Sequence, residues 1–273
     1  MELIEILKVV VLGIVEGVTE WLPISSTGHM LLVDEFIHMN VSESFKDMFF
    51  VVIQLGAILA VVMLFWDKMW PFQTKDKSKP VIRKDVFSMW FKVDVACIPG
   101  AIVTLLFDDY IEAHLHTPTV IALALVVYGV AFIVIENWNK KRTPKVLTLE
   151  DISYKTAFII GLFQVLSIIP GTSRSGSTII GALTIGVSRV AAAEFTFFLA
   201  VPVMIGLSFI KILKFGFSFT SVELMTLAIG CVVAFLVSVL VIKFLMSYIK
   251  KRDFKIFGWY RIVLGVILLL YFM

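Results

Sequence analysis

Two short polar stretches, Glu16–His29 and Pro170–Thr178, carry most of the residues that could do chemistry in this chain. Glu16 and Glu20 are one helical turn apart, so they share a helix face and can converge on one partner. Carboxylate oxygens suit Mg²⁺ or Ca²⁺, and such an ion could bridge these two side chains to a phosphate. The alternative is a shallow helix whose glutamates reach water or a neighbouring helix.

Three consecutive hydroxyl residues, Ser25, Ser26 and Thr27, follow Pro23. A serine or threonine at this point would cap a helix, whose free N–H groups and dipole form an anion site. His29 lies in the first turn of that helix and could hold or relay a proton near neutral pH. A capped helix with a hydrogen-bonded packing histidine would explain the same residues.

Arg174 lies deep inside the second polar stretch, among the hydroxyls of Ser173, Ser175 and Thr178. The planar guanidinium matches phosphate oxygens, and the hydroxyls and a helix N-terminus would add donors. The alternative is a structural salt bridge from Arg174 to one of the two glutamates. Both interpretations can hold together if a glutamate pairs with Arg174 until an anion arrives.

The composition indicates that a membrane surrounds these polar stretches. The chain has 273 residues, of which 59% are hydrophobic and 16% are charged, with a mean hydropathy of +0.97. A soluble core cannot hide so much apolar surface, and the apolar runs approach the ~20 residues that cross a bilayer as a helix. We therefore predict an all-α integral membrane protein surrounded by membrane lipids, without nucleic acid. Its six predicted transmembrane helices are 48–66, 92–107, 118–138, 193–213, 221–246 and 256–272.

Two further apolar stretches, 3–37 and 153–187, are interrupted midway. Pro23 ends the first half of one, and Pro170 with Gly171 ends the first half of the other. Each half has the length of a short helix. A re-entrant helix–loop–helix hairpin that enters and leaves on the same side therefore fits better than two full crossings.

The basic residues support this topology. If both hairpins return to their own side, sixteen of the 24 Lys and Arg residues fall on one face. They are Lys68, Lys75, Lys77, Lys79, Arg83, Lys84, Lys92, Lys140, Lys141, Arg142, Lys145, Lys155, Lys250, Lys251, Arg252 and Lys255. The opposite face carries Asp34, Glu35, Glu43 and Asp47, and also Asp108, Asp109 and Glu112. Since loop Lys and Arg mark the cytoplasmic side, both termini are predicted to lie outside.

The two halves of the chain form a predicted repeat. Residues 1–142 and 143–273 each contain one hairpin followed by three spans, so the second copy would be inverted relative to the first. Gly13-x-x-Glu16 corresponds to Gly161-x-x-Gln164 in the local sequence. Inverted repeats with broken helices place polar loops near the midplane, one from each side.

The remaining polar residues in the spans receive simpler interpretations. Gln54 is predicted to reach the first polar loop as an outer contact. Arg189, Lys243 and Arg261 lie near span ends, and we predict that they anchor at the membrane interface. Glu136 and Glu194 could pair with such cations. The sequence contains no GxxxxGK[ST] or GxGxxG loop, so nucleotide hydrolysis is not indicated.

The whole chain resembles the bacterial undecaprenyl-diphosphate phosphatases of the bacitracin-resistance type. Residues 16–29 (EGVTEWLPISSTGH) are similar to the acidic N-terminal motif of that family, and residues 170–178 (PGTSRSGST) to its PGxSRSxxT motif. Residues 51–56 and 186–191 also resemble family segments. The resemblance implies removal of the terminal phosphate from undecaprenyl diphosphate, an isoprenyl diphosphate lipid, to give the monophosphate carrier that cell-wall synthesis reuses. It also implies a divalent cation and a site at the outer face of the bacterial cytoplasmic membrane. A second copy of the chain, forming a homodimer, is a further partner that we consider.

The resemblance also implies roles for the residues. Ser26 would be the nucleophile, with His29 as acid/base, and Arg174 would neutralise the transferring phosphoryl group. Glu16 and Glu20 would hold Mg²⁺ or Ca²⁺, or Glu20 would act as a base. Direct attack by water is the rival route.

A transporter or flippase for an anionic or lipid-phosphate substrate is the alternative function. Inverted repeats with midplane loops are a transporter design, and transport needs binding without a nucleophile. The glutamates beside a serine and a histidine favour an enzyme. A purely structural scaffold would not explain two matched polar breaks.

Overall fold

The computed structural model describes residues 2–73, 80–115 and 117–272. These residues form an all-helical fold, and no strand longer than an isolated bridge occurs among them. The helices are α1 Leu3–Thr19, α2 Ser26–Phe36, α3 Glu43–Val52, α4 Gln54–Leu64, α5 Trp66–Met69, α6 Lys84–Leu115, α7 Pro118–Asn139, α8 Tyr154–Val165, α9 Arg174–Thr184, α10 Arg189–Phe215, α11 Ser221–Ile249 and α12 Lys255–Phe272.

Six helical segments of the described chain are long and apolar enough to cross a membrane, which confirms the predicted number. They are Glu43–Leu64, Lys84–Phe107, Pro118–Asn139, Arg189–Phe215, Ser221–Ile249 and Lys255–Phe272. The bounds differ most at α6, which begins eight residues before the predicted span because its polar first turns continue the helix beyond the apolar run. Large apolar side chains on these helices are exposed, including Leu105, Leu240 and Leu270. A lipid environment accounts for that surface.

The two interrupted stretches each fold as a pair of helices joined by a polar turn. In the first, α1 packs against α2, and the far ends of the pair meet: Lys8 Nζ donates to the His38 carbonyl at 2.7 Å. In the second, α8 packs against α9 after a 3₁₀ turn at Leu166–Ile168. At the far end of this pair, the Ser188 amide donates to the Val146 carbonyl at 2.8 Å, which joins the segment before α8 to the segment after α9.

One helix of each pair packs against a long helix that lies far away in the sequence. Helix α1 lies against α11, α8 lies against α6, and α7 lies against α12. Glycine permits two of these close approaches: a Cβ on Gly13 would lie 3.0 Å from the Gly230 carbonyl oxygen, and one on Gly161 would clash with the Ala96 carbonyl. One helix of each pair, α1 and α8, therefore packs on a long helix from the other half of the chain.

Two of the three loops predicted to be basic lie together. Residues from 139–145, 183–190 and 248–256 line one cavity of about 1220 Å³. Arg189 at this basic end binds the buried Glu136 carboxylate, with Nε 2.9 Å from Oε1, so the predicted pairing of Glu136 is confirmed. Glu194 pairs instead with Lys68. Three of the predicted cytoplasmic lysines, Lys75, Lys77 and Lys79, lie outside the described residues.

Candidate functional site

The turns before α2 and α9 share one backbone conformation. Ser25 has φ 76° and Ser173 has φ 71°, a region that residues other than glycine rarely occupy. Each serine caps its helix by accepting a hydrogen bond, from the Gly28 amide at 3.3 Å and from the Gly176 amide at 3.1 Å. Backbone strain of this kind is found at ligand-binding and catalytic turns. It thus marks both loops as candidates for a site.

The Glu20 carboxylate joins the two loops. Its Oε2 accepts the Ser26 hydroxyl at 2.5 Å, and its Oε1 accepts Arg174 Nη2 at 3.0 Å. The Ser175 hydroxyl also donates to the Glu20 backbone carbonyl at 3.2 Å. The structure therefore brings together Glu20, Ser26 and Arg174 in one buried cluster, and the salt bridge considered for Arg174 is present.

Arg174 is held from a second direction by α10. Its Nη1 donates to the Thr196 carbonyl at 3.0 Å, and the Thr178 hydroxyl donates to the Arg174 carbonyl at 2.9 Å. The hydroxyls of Thr178 and Thr196 are 2.9 Å apart and fully buried. Thr178, predicted to bind phosphate, is thus placed behind Arg174. Thr196 was missed, although it is the one polar residue in the apolar run Phe195–Ala200.

Glu16 lies one turn before Glu20, whose amide donates to the Glu16 carbonyl at 3.0 Å. The Glu16 side chain is fully buried, and neither carboxylate oxygen has a hydrogen-bond partner within the described chain. No group of three or more His, Cys, Asp or Glu side chains suited to a metal occurs in the described ranges. Two carboxylates nevertheless fit Mg²⁺, which binds one or two protein carboxylates together with substrate phosphates.

His29 is fixed by two contacts away from Ser26. Its Nδ1 lies 2.7 Å from the Ser25 carbonyl, and its Nε2 lies 2.6 Å from the Tyr260 hydroxyl. Because a carbonyl only accepts, Nδ1 carries a proton, and the neutral ring then accepts the Tyr260 hydroxyl at Nε2. Tyr260 had no signal in the sequence, since it lies in a different span.

The other predicted site residues take varied positions. The Ser173 and Ser175 hydroxyls are 3.1 Å apart at the start of α9. Thr27 is exposed, unlike its neighbours Ser25 and Ser26. Gln54 begins α4 and is half-buried, and no described side chain of the cluster forms a hydrogen bond with it.

Arg261 corrects the sequence analysis. It is fully buried rather than anchored at the interface, and it donates to backbone carbonyls of both polar loops. Its Cζ also lies 5.6 Å from the centre of the Tyr128 ring. The role of Arg261 could have been predicted from the sequence, because a charged residue within a membrane span is usually functional. Its position near the start of the span suggested a shallow location in the membrane. Its true depth depends on helix tilt, which cannot be read from the sequence.

A model of the bacitracin resistance protein BacA family matches residues 9–267. The chain belongs to the BacA family. Relatives named undecaprenyl-diphosphatase include one from Enterococcus faecalis, 75% identical over 270 residues, which cover 99% of this chain and 98% of the relative. One from Desulfitobacterium hafniense is 62% identical over 273 residues, covering 100% and 98%. One from Lachnoclostridium phytofermentans is 61% identical over 273 residues, covering 100% and 99%. The matched residues thus include both polar loops and α12 as far as residue 267.

Proposed function

We propose that this chain is an undecaprenyl-diphosphatase, a membrane phosphatase that converts undecaprenyl diphosphate to undecaprenyl phosphate and so recycles the lipid carrier of cell-wall synthesis. The names of its full-length relatives supply the substrate. One observation carries the chemistry: a single carboxylate, Glu20, contacts both the Ser26 hydroxyl and the Arg174 guanidinium. A hydroxyl beside a base and a cation is the arrangement needed for phosphoryl transfer.

In the first step, Ser26 Oγ forms a bond to the terminal phosphorus. The bond from that phosphorus to the bridging oxygen breaks, and undecaprenyl phosphate leaves with that oxygen. Glu20, rather than His29, is the base that contacts Ser26, and it takes the hydroxyl proton. Arg174 and the N-termini of α2 and α9 stabilise the charge on the phosphoryl oxygens.

In the second step, a water oxygen forms a bond to the phosphorus of the phosphoseryl group, and the bond from phosphorus to Ser26 Oγ breaks. Phosphate leaves with the protons of that water, and Glu20 returns its proton to Oγ. His29 keeps its predicted role as a proton-exchanging group one helical turn from Ser26. The alternative is direct attack by water, with Ser26 only donating hydrogen bonds. The 2.5 Å contact between Ser26 and Glu20 favours the serine route, because it places a base on the hydroxyl proton.

Glu16 would hold a divalent cation, Mg²⁺ or Ca²⁺, and Glu20 would be its second ligand in the alternative in which Glu20 does not act as the base. The cation would supply charge neutralisation for the diphosphate oxygens. The two unpartnered oxygens of Glu16 support this assignment, because a buried carboxylate without a partner is costly. The hydroxyls of Ser25, Thr27, Ser173, Ser175 and Thr178 stay predicted phosphate donors, and Gln54 stays a predicted outer contact.

We further propose that α1–α2 and α8–α9 are re-entrant hairpins within an inverted repeat of residues 1–142 and 143–273. Three observations support the repeat: the shared serine caps, the matched glycine contacts, and the exchange in which α1 packs on α11 while α8 packs on α6. A second copy that follows three spans is inverted relative to the first.

The orientation follows from the charges. The basic loops around Arg189 would be cytoplasmic. The N-terminal helix α1 contacts His38, just after α2, and the Tyr271 ring near the C-terminus lies 6.3 Å from Phe36 at the end of α2. Both termini would therefore lie on the same side, which would be the outside. The first hairpin would then open the site to the outer face of the bacterial cytoplasmic membrane. A homodimer stays a prediction.

The test is phosphate release by the purified protein from undecaprenyl diphosphate, with and without a chelator. We expect release that a chelator abolishes and that added Mg²⁺ or Ca²⁺ restores. Binding without release would favour the transporter, and it would exclude the phosphatase. A phosphate trapped on Ser26 and found by mass spectrometry would select the serine route over direct attack by water.

A further inference from the structure

Arg261 connects the two polar loops through their backbones. Its Nη1 donates to the Pro23 carbonyl at 3.0 Å, and its Nη2 donates to the Gly171 carbonyl at 2.7 Å and the Thr172 carbonyl at 2.9 Å. Pro23 belongs to the first hairpin, and the other two residues belong to the second. One side chain of α12 therefore fixes the turns of both.

The three carbonyls lie next to the strained caps. Pro23 comes two residues before Ser25, and Thr172 comes immediately before Ser173. Because the guanidinium is planar, with donors in a fixed fork, it sets the distance and the angle between the carbonyls it binds. Gly176 leaves room for it: a Cβ there would lie 3.2 Å from Arg261 Nη1. The fork thus controls where each cap begins its helix.

Arg261 carries its charge without a carboxylate partner. It is 0% exposed, it forms no salt bridge within the described chain, and its Nε has no hydrogen-bond partner there. Arg189 offers the contrast, since it binds the Glu136 carboxylate at the basic end. Burying an unpaired cation is costly, so a purely stabilising role is poorly served by an arginine at this position.

We propose that Arg261 is the positioning residue of this site, which holds Ser26 on α2 and Arg174 on α9 in register across the two loops. This inference rests on the proposed function for its kinetic consequence. Ser26 and Arg174 are the residues that directly follow the two caps, so a shift of either turn moves one of them relative to the other. A displacement of about 1 Å between reacting groups costs about 100-fold in rate.

The experiment compares Arg261→Met and Arg261→Lys with the matched control Arg189→Met. Each protein is purified in detergent, and kcat, KM and the unfolding temperature are measured on the folded fraction. We expect kcat of Arg261→Met to fall about 100-fold with KM changed less than about threefold, because the lipid tail still binds. Arg261→Lys should recover about tenfold of that loss, since its ammonium can still donate to carbonyls.

Arg189→Met should lower the unfolding temperature but keep the wild-type kcat, because it removes the partner of the buried Glu136 carboxylate at the basic end. Near wild-type kcat in folded Arg261→Met, or an equal loss in Arg189→Met, would overturn the inference. If Arg261→Met does not fold, Arg261→Lys decides: lowered kcat at unchanged KM supports the inference, and wild-type kcat overturns it.

Hydrogen–deuterium exchange provides a readout that does not depend on turnover. Amides of 20–28 and of 168–177 should both exchange faster in Arg261→Lys, while neither changes in Arg189→Met. Faster exchange in only one loop, or in neither, would overturn the inference. Absence of phosphate release by the wild type in the same experiments would count against the proposed function, and the exchange data would still test the positioning role.

Discussion

The first turns of α2 and α9 have the same backbone and different chemistry. Each begins with a serine of positive φ whose side chain accepts from the amide of a glycine three residues on. In the first position after the cap, α2 carries Ser26 and α9 carries Arg174. One loop offers a hydroxyl nucleophile and the other a cation. In the proposed function, the shared geometry supplies two helix ends suited to an anion, and the different side chains supply the nucleophile and the cation.

The same contrast extends to the preceding helices. Glu16 on α1 corresponds to Gln164 on α8, and both are buried with an unpartnered side-chain oxygen. The first hairpin thus holds the negative groups and the second the positive one, with Glu20 and Arg174 joined between them. In the proposed reaction, the two similar loops supply opposite charges for phosphoryl transfer, and each substitution below removes one of these contributions.

The largest effect is expected for Ser26→Ala. If Ser26 is the nucleophile, kcat falls by about 10⁴-fold or more, while direct attack by water would cost only about tenfold for the lost hydrogen bond. Phosphate release from undecaprenyl diphosphate measures both. The control is Ser177→Ala, which removes a buried hydroxyl that donates to the Ser173 carbonyl on the other hairpin. A loss of tenfold or less in Ser26→Ala would reject the phosphoseryl route.

The next effect belongs to the opposite loop. Arg174→Ala should lower kcat/KM by about 10³-fold, because it removes the guanidinium that stabilises the transferring phosphoryl group and leaves the Glu20 carboxylate without its cation. Arg174→Lys should lose less, since the charge stays while the fork is lost. Arg189→Met is the control for loss of an arginine that pairs with a buried carboxylate. Full activity in Arg174→Ala would show that the second loop is only a support.

A smaller effect tests the cation. Glu16→Gln gives both hairpins an amide at the corresponding position, and it should weaken Mg²⁺ or Ca²⁺ binding by about tenfold in a calorimetric titration. In chelator the same variant should unfold at a higher temperature, because a buried carboxylate without a partner has been replaced by a neutral group.

Gln164→Ala serves as the matched control for Glu16→Gln. It truncates the corresponding side chain of α8 and should leave cation affinity unchanged. Equal cation affinity in Glu16→Gln and the wild type would remove Glu16 from the cation site. A lower unfolding temperature of Glu16→Gln in chelator would instead show that the carboxylate has a stabilising partner.

Local signals in the sequence were enough to predict the six spans and the two breaks. Pro23 and Pro170 cannot continue a helix, and the serines after them favour caps, so both turns were predictable. The convergence of the two loops was expected from the charge distribution and from the predicted repeat. These predictions depend on residues that are close together in the chain and on the thickness of the bilayer. Neither requires knowledge of tertiary contacts.

Contacts between distant spans were not predictable in the same way. Arg261 was interpreted as an interfacial anchor because its predicted span, 256–272, begins only five residues earlier. The packing of α12 against α7 and against the two polar loops instead buries it completely. Tyr260 lies 231 positions from His29 and carries no motif. Which side chains of a span face a polar loop depends on helix tilt and rotation. Neighbouring helices set both quantities, and the local sequence does not.

The smallest effect is expected for Tyr260→Phe, which removes only the hydroxyl donated to His29 Nε2. The imidazole keeps its bond to the Ser25 carbonyl, so its orientation is loosened rather than lost. We expect kcat to fall about three- to tenfold, the value of one neutral hydrogen bond. Tyr271→Phe is the control, since that ring packs near Phe36 at the end of the first hairpin. A loss above about 100-fold would mean that the Tyr260 hydroxyl itself transfers a proton. In that case α12, and not only the two hairpins, would supply a reacting group.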